Sequence, residues 1–398
     1  MKNKRFILLL LLVATLTGCS TQGKNSDNIA KQQSKETSVY LPIEPLWKGT
    51  SQPIQSILGD IHSIKMKNVW VETAVPNSAI IVASPAENSD PDYPDGLYSV
   101  DANSGKVTAL FSVDASKFEQ INLAAADQQW LVYEFGTDSG DQNTWGLYAY
   151  NFETKESQEI YAVPEGFLGE DEPSGLTVEG DQCIWSDFIE NKASHNIISE
   201  IHDYDLANKT DNILFQANTD MPSDSTTSDT SYPYDPRKGI IYASSVRDGK
   251  LVFSVDDNVN PMDTSAAGDI YELDLGTKQL SHMIHLYHAA NPICSYGDQV
   301  ALDDNYDPIP NSPKNPAPYP VYLYKKGDKC IYRLSPDKAD FSPPSQNERF
   351  IAWQSSYVYD LKTGTYYTVP GRFSYIVGDY LTWADRQNGI LYWAQLPN

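Results

Sequence analysis

The sequence predicts an all-β protein, a seven-bladed β-propeller, on three observations. The stretch from Asn347 to Gly371 holds three short runs of aromatic and β-branched residues separated by tight turns, which is typical of a β-meander. The phrase in its middle run recurs along the chain, and an apolar, aromatic-rich run precedes each copy. Because a lone meander cannot bury both faces, the copies must stack against one another, as in a repeat fold.

The recurring phrase is the third strand of each predicted blade. Its copies are LYSVDANSGK at Leu97, LYAYNFETKE at Leu147, IHDYDLANKT at Ile201, IYELDLGTKQ at Ile270, VYLYKKGDK at Val321, YVYDLKTG at Tyr357 and a truncated ILYWAQ at Ile390. The aligned ring positions are Tyr98, Tyr148, His202, Tyr271, Tyr322, Tyr357 and Tyr392. Seven registers predict seven blades, with loops of variable length between them.

The last blade lacks a fourth strand in the sequence that follows Ile390. We therefore expect a strand between Val39 and Met66 to complete it, which joins the two ends of the domain and removes an exposed edge. Residues 39–398 are accordingly predicted to form one propeller domain.

The first residues predict export and a lipid anchor. Residues 1–18 read as a signal peptide, with a basic start and a short apolar run. They end in Leu16-Thr17-Gly18-Cys19, which resembles the bacterial lipobox, so Cys19 is predicted to be lipidated and to anchor the protein in the cell membrane or the outer membrane. Residues 19–38 are polar and are expected to form a flexible tether.

The net charge of the chain limits the classes of binding partner, and its cysteine count limits the possible disulfides. The formal net charge of -24 disfavours nucleic acid and anionic lipid headgroups as partners. Beyond Cys19 the chain has three cysteines, Cys183, Cys294 and Cys330, an odd number that argues against a disulfide framework. We interpret all three as small buried hydrophobic residues.

One face of the propeller is predicted to bind a ligand. Loops between second and third strands share a face with the loops between blades, and here they are long, acidic and rich in Tyr-Pro pairs. The predicted binding tyrosines are Tyr93, Tyr232, Tyr306 and Tyr319. The turns on the opposite face each carry a lysine, so the two faces should differ in charge. The acidic loops also fit a simple role in solubility.

Four aspartates are predicted to follow second strands at the same rim: Asp187, Asp256, Asp304 and Asp385. They suit calcium, or they cap their own loops through backbone hydrogen bonds, which we favour. His282, His285 and His288 fall on a predicted outer strand, where His285 should point away from His282, so no metal site is expected. No catalytic motif and no cofactor site is recognised.

The phrases SVDANSGKV at Ser99 and VYDLKTG at Val358 resemble the repeat of bacterial propellers of the pyrroloquinoline-quinone-like class, and the second strands are similar to those of TolB-like propellers. The resemblance implies the fold from about residue 67 onward. A quinone-dependent enzyme of this kind is expected to carry a tryptophan-ended repeat and an adjacent cysteine pair, and this chain has neither.

These observations favour a non-catalytic binding or assembly module in the cell envelope, with a protein, peptide or glycan ligand on the acidic loop face. Two alternatives stay open: a glycan-processing enzyme similar to polysaccharide-lyase propellers, and a purely structural scaffold for envelope assembly. The net acidity and the placement of the histidines speak against an anionic substrate.

The predicted anchor can be tested by replacing Cys19 with Ser. Without the thiol there is no site for lipid attachment, so the variant should leave the detergent-soluble membrane fraction and keep its leader. Fractionation and the mass of the N-terminal peptide measure both effects. A variant that remains in the membrane and is processed like the wild type would show that the protein is not a lipoprotein.

Overall fold

A computed structural model describes residues 41–85, 92–114, 119–121, 123–138, 143–169, 173–222, 235–244, 246–256, 268–286, 293–303, 320–335, 344–353 and 356–398. Residues Tyr40–Asn398 form one compact unit. Within the described residues, 32 strands form seven sheets, and each sheet has four or five strands. No helix among these residues is long and apolar enough to cross a membrane.

The first strands belong to an N-terminal segment: β1 (Ile43–Pro45), β2 (Gln52–Pro53) and β3 (His62–Lys65). Blade 1 contains β4 (Val69–Val75), β5 (Ile80–Pro85), β6 (Gly96–Asp101) and β7 (Val107–Ser112). Blade 2 contains β8 (Glu119–Gln120), β9 (Ala124–Ala126), β10 (Trp130–Asp138), β11 (Asn143–Asn151) and β12 (Ser157–Ala162). Blade 3 contains β13 (Phe167–Gly169), β14 (Ser174–Glu179), β15 (Gln182–Asn191), β16 (Asn196–Asp205) and β17 (Thr210–Pro222).

The other four blades follow in chain order. Blade 4 contains β18 (Ile240–Ala243), β19 (Lys250–Asp256), β20 (Gly268–Asp274) and β21 (Leu280–Leu286). Blade 5 contains β22 (Ile293–Tyr296), β23 (Gln299–Asp303), β24 (Val321–Lys325) and β25 (Ile331–Arg333). Blade 6 contains β26 (Pro344–Gln346), β27 (Phe350–Trp353), β28 (Tyr357–Asp360) and β29 (Thr365–Thr368). Blade 7 contains β30 (Arg372–Val377), β31 (Tyr380–Asp385) and β32 (Ile390–Gln395). Two short 3-10 turns are Ile54–Ser56 and Pro236–Lys238.

The seven blades form a ring, as the sequence predicts. First strands of neighbouring blades contact one another from blade 1 to blade 4 and from blade 5 to blade 7, β22 of blade 5 contacts β19 of blade 4, and β30 of blade 7 contacts β4 of blade 1. Every aligned ring position lies in a third strand. The apolar core lies between blades: one cluster joins Val252 and Ile284 of blade 4 to Val300 and Tyr322 of blade 5. Neighbouring blades therefore bury each other's apolar side chains, which no single sheet could do alone.

The predicted closing strand is confirmed, and the N-terminal segment does more than close the ring. Strand β3 pairs antiparallel with β32 and becomes the outer strand of blade 7. Before that, β1 adds a parallel strand to blade 5 and β2 adds one to blade 6. Ile54 is fully buried in this segment, and the Trp47 ring packs edge-on against Tyr366 with 4.8 Å between ring centroids. The segment thus fastens three consecutive blades.

Hydroxyl groups link the innermost strands of neighbouring blades. The inner edge of each blade leaves backbone N–H groups without a partner strand, and buried N–H groups need acceptors. Ser174 Oγ of blade 3 accepts from Ala243 N of blade 4 at 3.0 Å. Ser345 Oγ of blade 6 accepts from Ile376 N of blade 7 at 2.8 Å. Serine hydroxyls therefore connect neighbouring blades at their inner edges through hydrogen bonds.

The turns between third and fourth strands are capped by the residue that ends the third strand. Its side chain accepts from backbone N–H groups two or three residues later, which fixes the turn. The capping residues are Asp101, Asn151, Asp205, Asp274 and Asp360. The lysines predicted for this face are all exposed in these turns: Lys106, Lys155, Lys209, Lys278, Lys329 and Lys362.

A β-bulge recurs between the third and fourth strands of blades 1 to 4. In each case the register shifts immediately before the aligned ring position: Tyr98, Tyr148, His202 and Tyr271. A bulge inserts one residue into a strand and turns the following side chains to the other face. On these outer strands, successive side chains therefore do not alternate strictly between the two faces of the sheet.

The bulge of blade 4 overturns one expectation. His285 was expected to point away from His282, but Met283 is the extra residue of the bulged strand, and both rings meet the same carboxylate. Asp269 Oδ1 lies 2.8 Å from His282 Nε2 and 2.9 Å from His285 Nδ1. His288 lies outside the described residues.

The three cysteines of the propeller are free, in agreement with the sequence analysis. Cys183 and Cys330 are buried, and Cys294 is half-buried. Burial raises the pKa of the Cys294 thiol to about 11, so the thiol stays protonated and weakly nucleophilic at neutral pH.

Deleting residues 41–65 should destabilise the propeller far more than deleting residues 20–38. The first deletion exposes the edges of three blades and removes Ile54, and burying one large apolar side chain is worth about 1.5–3 kcal/mol. We expect a loss of about 5 kcal/mol or more in the free energy of unfolding, measured by denaturant titration. Equal stabilities for the two deletions would contradict the role given to the segment.

Asp360 provides a second test, because it is the buried aspartate among the capping residues. Burial alone would raise its pKa, but the Arg349 guanidinium, 2.8 Å away, and the turn N–H groups outweigh burial and hold the pKa below its usual value. Asp360→Asn should therefore cost about 2 kcal/mol at neutral pH, since it removes a charge-assisted pair.

The sign of the pH dependence follows from the lowered pKa. The carboxylate stabilises the fold above its unfolded pKa of about 4, and this contribution disappears as the pH falls through the folded value. The stability difference between wild type and D360N should thus shrink in acid. The matched control is Asp101→Asn, at the equivalent turn of blade 1, where no arginine pairs with the cap and the effect should be smaller. A larger loss in D101N than in D360N would refute this account.

Candidate functional site

A cleft of about 380 Å³ opens on the loop face between blades 7 and 1. We call it the aromatic cleft. Its lining comes from the starts of first strands, the ends of second strands and the entry to blade 2, so it lies where the loop-face ends of three blades meet. The side chains used below are Trp70, Glu72, Ser84, Phe373, Tyr375 and Thr382.

Two β-bulges in neighbouring inner strands shape the aromatic cleft. The register of β4 against β5 shifts between Val71 and Thr73, which makes Glu72 the extra residue. The register of β30 against β31 shifts between Arg372 and Tyr375. Bulges re-aim side chains and are common beside active and binding sites. Here the regular strand pairing of both β4 and β30 is interrupted at the aromatic cleft.

The second bulge holds Phe373 in a conformation that is unusual for a bulky residue. Its φ of 59° lies in the left-handed region, which costs about 1–3 kcal/mol unless the surroundings enforce it. The Phe373 ring meets Trp70 edge-on with 5.7 Å between centroids. Arg386, from the turn after β31, lies above both rings, with its Cζ 3.6 Å from the Phe373 centroid and 4.7 Å from that of Trp70.

The rings of the aromatic cleft remain accessible despite these contacts. Trp70 is 41% exposed and Tyr375 is 37% exposed, and they are two of the four exposed large hydrophobic residues in the described part of the chain. Large aromatic rings are usually buried, so the exposure of two of them in one cleft makes the cleft a candidate binding surface.

Polar groups converge on the same cleft. Ser84 Oγ donates a hydrogen bond to Glu72 Oε1. Thr382 Oγ1 donates to the Tyr375 carbonyl at 3.2 Å. With Arg386 above the rings, the cleft presents a carboxylate, hydroxyls, a guanidinium and apolar ring faces. This combination suits a ligand with one apolar face and several hydroxyl or carboxylate groups.

The structure places the predicted rim residues in different settings. Tyr93 is half-buried and meets Tyr98 edge-on, with 5.6 Å between centroids. Asp256 ends β19. Asp385 caps its own turn, with Asn388 N 3.1 Å from Oδ1, and it directly precedes Arg386. None of these three lines the aromatic cleft. Tyr232, Tyr306, Tyr319 and Asp304 lie outside the described residues.

Asp187 departs from its predicted position at a strand end. Strand β15 continues four residues beyond it to Asn191, so Asp187 lies inside the sheet, only 2% exposed. It lies with Glu200 and His202 in a group whose ligand atoms are all within 4.8 Å of one another. Among the described residues, these three are the set of side chains with the spacing to hold a metal ion.

The electrostatics of this group favour a positive charge. Burial lowers the pKa of His202, but the carboxylates of Asp187 and Asp211 outweigh it and raise the pKa to about 9. Burial raises the pKa of Glu200. The group therefore attracts a cation, whether a proton or a metal ion.

The opposite mouth of the channel has a different chemistry. A cavity of about 750 Å³ there is lined by both signs of charge, including Arg247, Lys325, Glu348 and Asp379. Charges of both signs line this cavity, whereas the exposed rings of Trp70 and Tyr375 line the aromatic cleft. The loop face is therefore the better candidate for ligand binding.

Comparison of the sequence with protein-family models and with curated proteins finds no match. Solved structures are similar in fold. An oligogalacturonate lyase in complex with manganese has 12% identity and a TM-score of 0.52 over 85% of this chain and 91% of that chain. A prolyl endopeptidase has 12% identity and a TM-score of 0.52 over 84% of this chain, which spans 51% of the endopeptidase.

TolB from Acinetobacter baumannii has 13% identity and a TM-score of 0.41, over 86% of this chain and 66% of TolB. Identities at this level show the fold alone. The chain is a seven-bladed β-propeller with an architecture like that of a glycan lyase and of peptidase propeller domains.

Proposed function

We propose that the protein is a lipid-anchored envelope lipoprotein whose propeller is a non-catalytic binding module, with the ligand held in the aromatic cleft. The observation that carries the proposal is the exposed pair Trp70 and Tyr375 beside Phe373, on two inner strands that both bulge. Strained backbone and exposed rings at one place are costly, and they persist where function requires them.

The chemistry of the aromatic cleft favours a glycan over a cationic peptide. Sugar rings stack with their apolar face on indole and phenyl rings, while Glu72 and Ser84 offer groups that bond hydroxyls. A cationic peptide would be repelled by the Arg386 guanidinium beside the rings, whereas the exposed parts of Trp70 and Tyr375 can still stack on a sugar. The guanidinium instead attracts a carboxylate, so a sugar that bears one fits best.

Two observations keep a glycan-processing enzyme as the second candidate. Glu72, a potential base, lines the cleft, and Arg386 stacks on two of the cleft's rings. A glycan lyase also shares the fold over most of its length. Incubation with uronate-containing polysaccharides, followed by the absorbance of the unsaturated product, tests for lyase activity directly. A scaffold without any ligand remains the outcome if neither binding nor turnover is found.

Replacing the rings should weaken binding without unfolding the protein. In Trp70→Ala and Phe373→Ala we expect affinity for a retained glycan to fall about tenfold or more, since lost stacking alone is worth about 0.5–1.5 kcal/mol beyond the lost buried area. A glycan panel identifies the ligand and calorimetry measures the affinity. The matched control is Ile213→Ala, another exposed large apolar residue, on blade 3, which should bind like the wild type.

Salt and charge separate the ligand classes. Arg386→Gln should weaken binding of carboxylated glycans only, and rising salt should mimic that loss by screening. If basic peptides bind instead of glycans, the ligand class is wrong. If binding survives loss of both rings, the aromatic cleft is not the site.

A further inference from the structure

A second site lies in blade 3, away from the aromatic cleft. On a strand, residues two apart share a face, so Glu200 and His202 of β16 point the same way. In the antiparallel register Asp187 of β15 is opposite Glu200, and Trp185 is opposite His202. One face of a single hairpin therefore collects two carboxylates and an imidazole.

The separations between these groups fit a shared ion and do not fit hydrogen bonds. His202 Nε2 is 3.4 Å from Asp187 Oδ1 and 3.5 Å from Glu200 Oε2. Nitrogen and oxygen ligands about 2.0–2.2 Å from a tetrahedral ion are separated by about 3.4 Å. A hydrogen bond between nitrogen and oxygen needs about 2.7–3.2 Å, so each pair is too long by this measure.

Three buried atoms of the group lack hydrogen-bond partners: Asp187 Oδ1, Asp187 Oδ2 and His202 Nε2. The side chain of Asp187 is fully buried and that of His202 is 2% exposed. A buried carboxylate with no hydrogen bond is strongly unfavourable unless a cation balances it. Asp187 Oδ1 and His202 Nε2 lie 3.4 Å apart, close enough for one metal ion to bind both.

Surrounding side chains orient the three groups for coordination. Asp211 Oδ2 lies 2.9 Å from His202 Nδ1, which fixes the proton there and leaves the Nε2 lone pair for a metal. Gln216 Nε2 donates to Glu200 Oε1 at 2.6 Å, which leaves Oε2 facing the histidine. The Trp185 ring stacks on the imidazole with 4.6 Å between centroids and planes 3° apart, so the ring cannot turn away.

Blade 2 covers the group from the other side. The Tyr161 ring lies 5.1 Å from the His202 ring, and its hydroxyl is buried without a hydrogen-bond partner. The side chains of Glu200 and Asp211 remain 15% and 33% exposed, which leaves a route from solvent to the group.

We propose that Asp187, Glu200 and His202 bind one divalent first-row transition-metal ion of the Zn²⁺ type. An imidazole ligand argues against Mg²⁺ and Ca²⁺, which take oxygen ligands only, and tetrahedral spacing favours Zn²⁺. The bound ion crosslinks the two central strands of blade 3. The sequence alone did not bring these residues together, because Asp187 was expected at a strand end on the rim.

The blade 4 histidines are arranged differently. There both rings lie at hydrogen-bond distance from one oxygen of Asp269, at 2.8 and 2.9 Å. His282 is thus the matched control for His202, because each is a histidine on an outer half of a blade beside a buried aspartate.

The experiment measures Zn²⁺ on chelator-treated, folded protein. We expect one Zn²⁺ per chain by elemental analysis after gel filtration, and a rise in Tm of about 4 °C at a hundredfold excess of free Zn²⁺ over Kd. Asp187→Asn and His202→Gln should lose both effects, and His282→Gln should keep them.

The variants also separate coordination from general stability. In chelator, the melting temperatures of Asp187→Asn and of the wild type give the effect of the substitution without metal, and the Zn²⁺-induced shift of each protein is measured from that value. If His202→Gln fails to fold, X-ray absorption at the zinc edge of the wild type replaces it, with a nitrogen and oxygen ligand shell expected. Chelated wild-type protein that takes up no Zn²⁺, equal uptake by D187N, or a sulfur ligand would each overturn the proposal. The first result would mean that a protonated His202 is the only cation of the group.

Discussion

The pairing of β3 with β32 is the interaction on which the ring depends. Each blade has two edges, and an unpaired edge exposes backbone groups and splits the core between blades. At the outer edge of blade 7 the N-terminal segment supplies the missing strand. At the inner edges, serine hydroxyls such as those of Ser174 and Ser345 accept hydrogen bonds from backbone N–H groups of the next blade. No single sheet buries both of its faces. Closing the ring at blade 7 therefore keeps the apolar faces of all seven blades packed against their neighbours.

Within this frame, bulges are the source of local chemistry. Regular strands would send alternate side chains to opposite faces and leave each blade much like the next. The bulges of β4 and β30 turn Glu72 and Phe373 into the aromatic cleft, and the bulge after Met283 brings two histidines to one carboxylate. Blade 3 differs, because its three proposed ligands follow plain alternation on β15 and β16 and are set apart only by their residue types.

The seven-bladed architecture could be predicted from the sequence because the third-strand phrase recurs visibly in each blade. The aspartate that ends the third strand and the glycine or lysine of the turn follow from local turn chemistry, as at Asp360. The strands β1 and β2 could not be foreseen, since each is two or three residues long and contains proline, which only an edge strand tolerates. The position of Asp187 was missed because the length of β15 depends on its partner strands. The positive φ of Phe373 could not be predicted, because phenylalanine is not a residue that normally indicates a left-handed conformation.

The two proposed sites differ in what they demand of the fold. The aromatic cleft lies across blades 7 and 1, so its shape depends on the ring staying closed by β3, and loss of the N-terminal segment would disturb it. The group of Asp187, Glu200 and His202 lies in one hairpin, with Tyr161 from blade 2 as its cover. An ion there would act on blade 3 itself and would leave the cleft unchanged. Partial opening of the ring should therefore abolish ligand binding before it abolishes Zn²⁺ binding, because a hairpin's register survives the separation of distant blades.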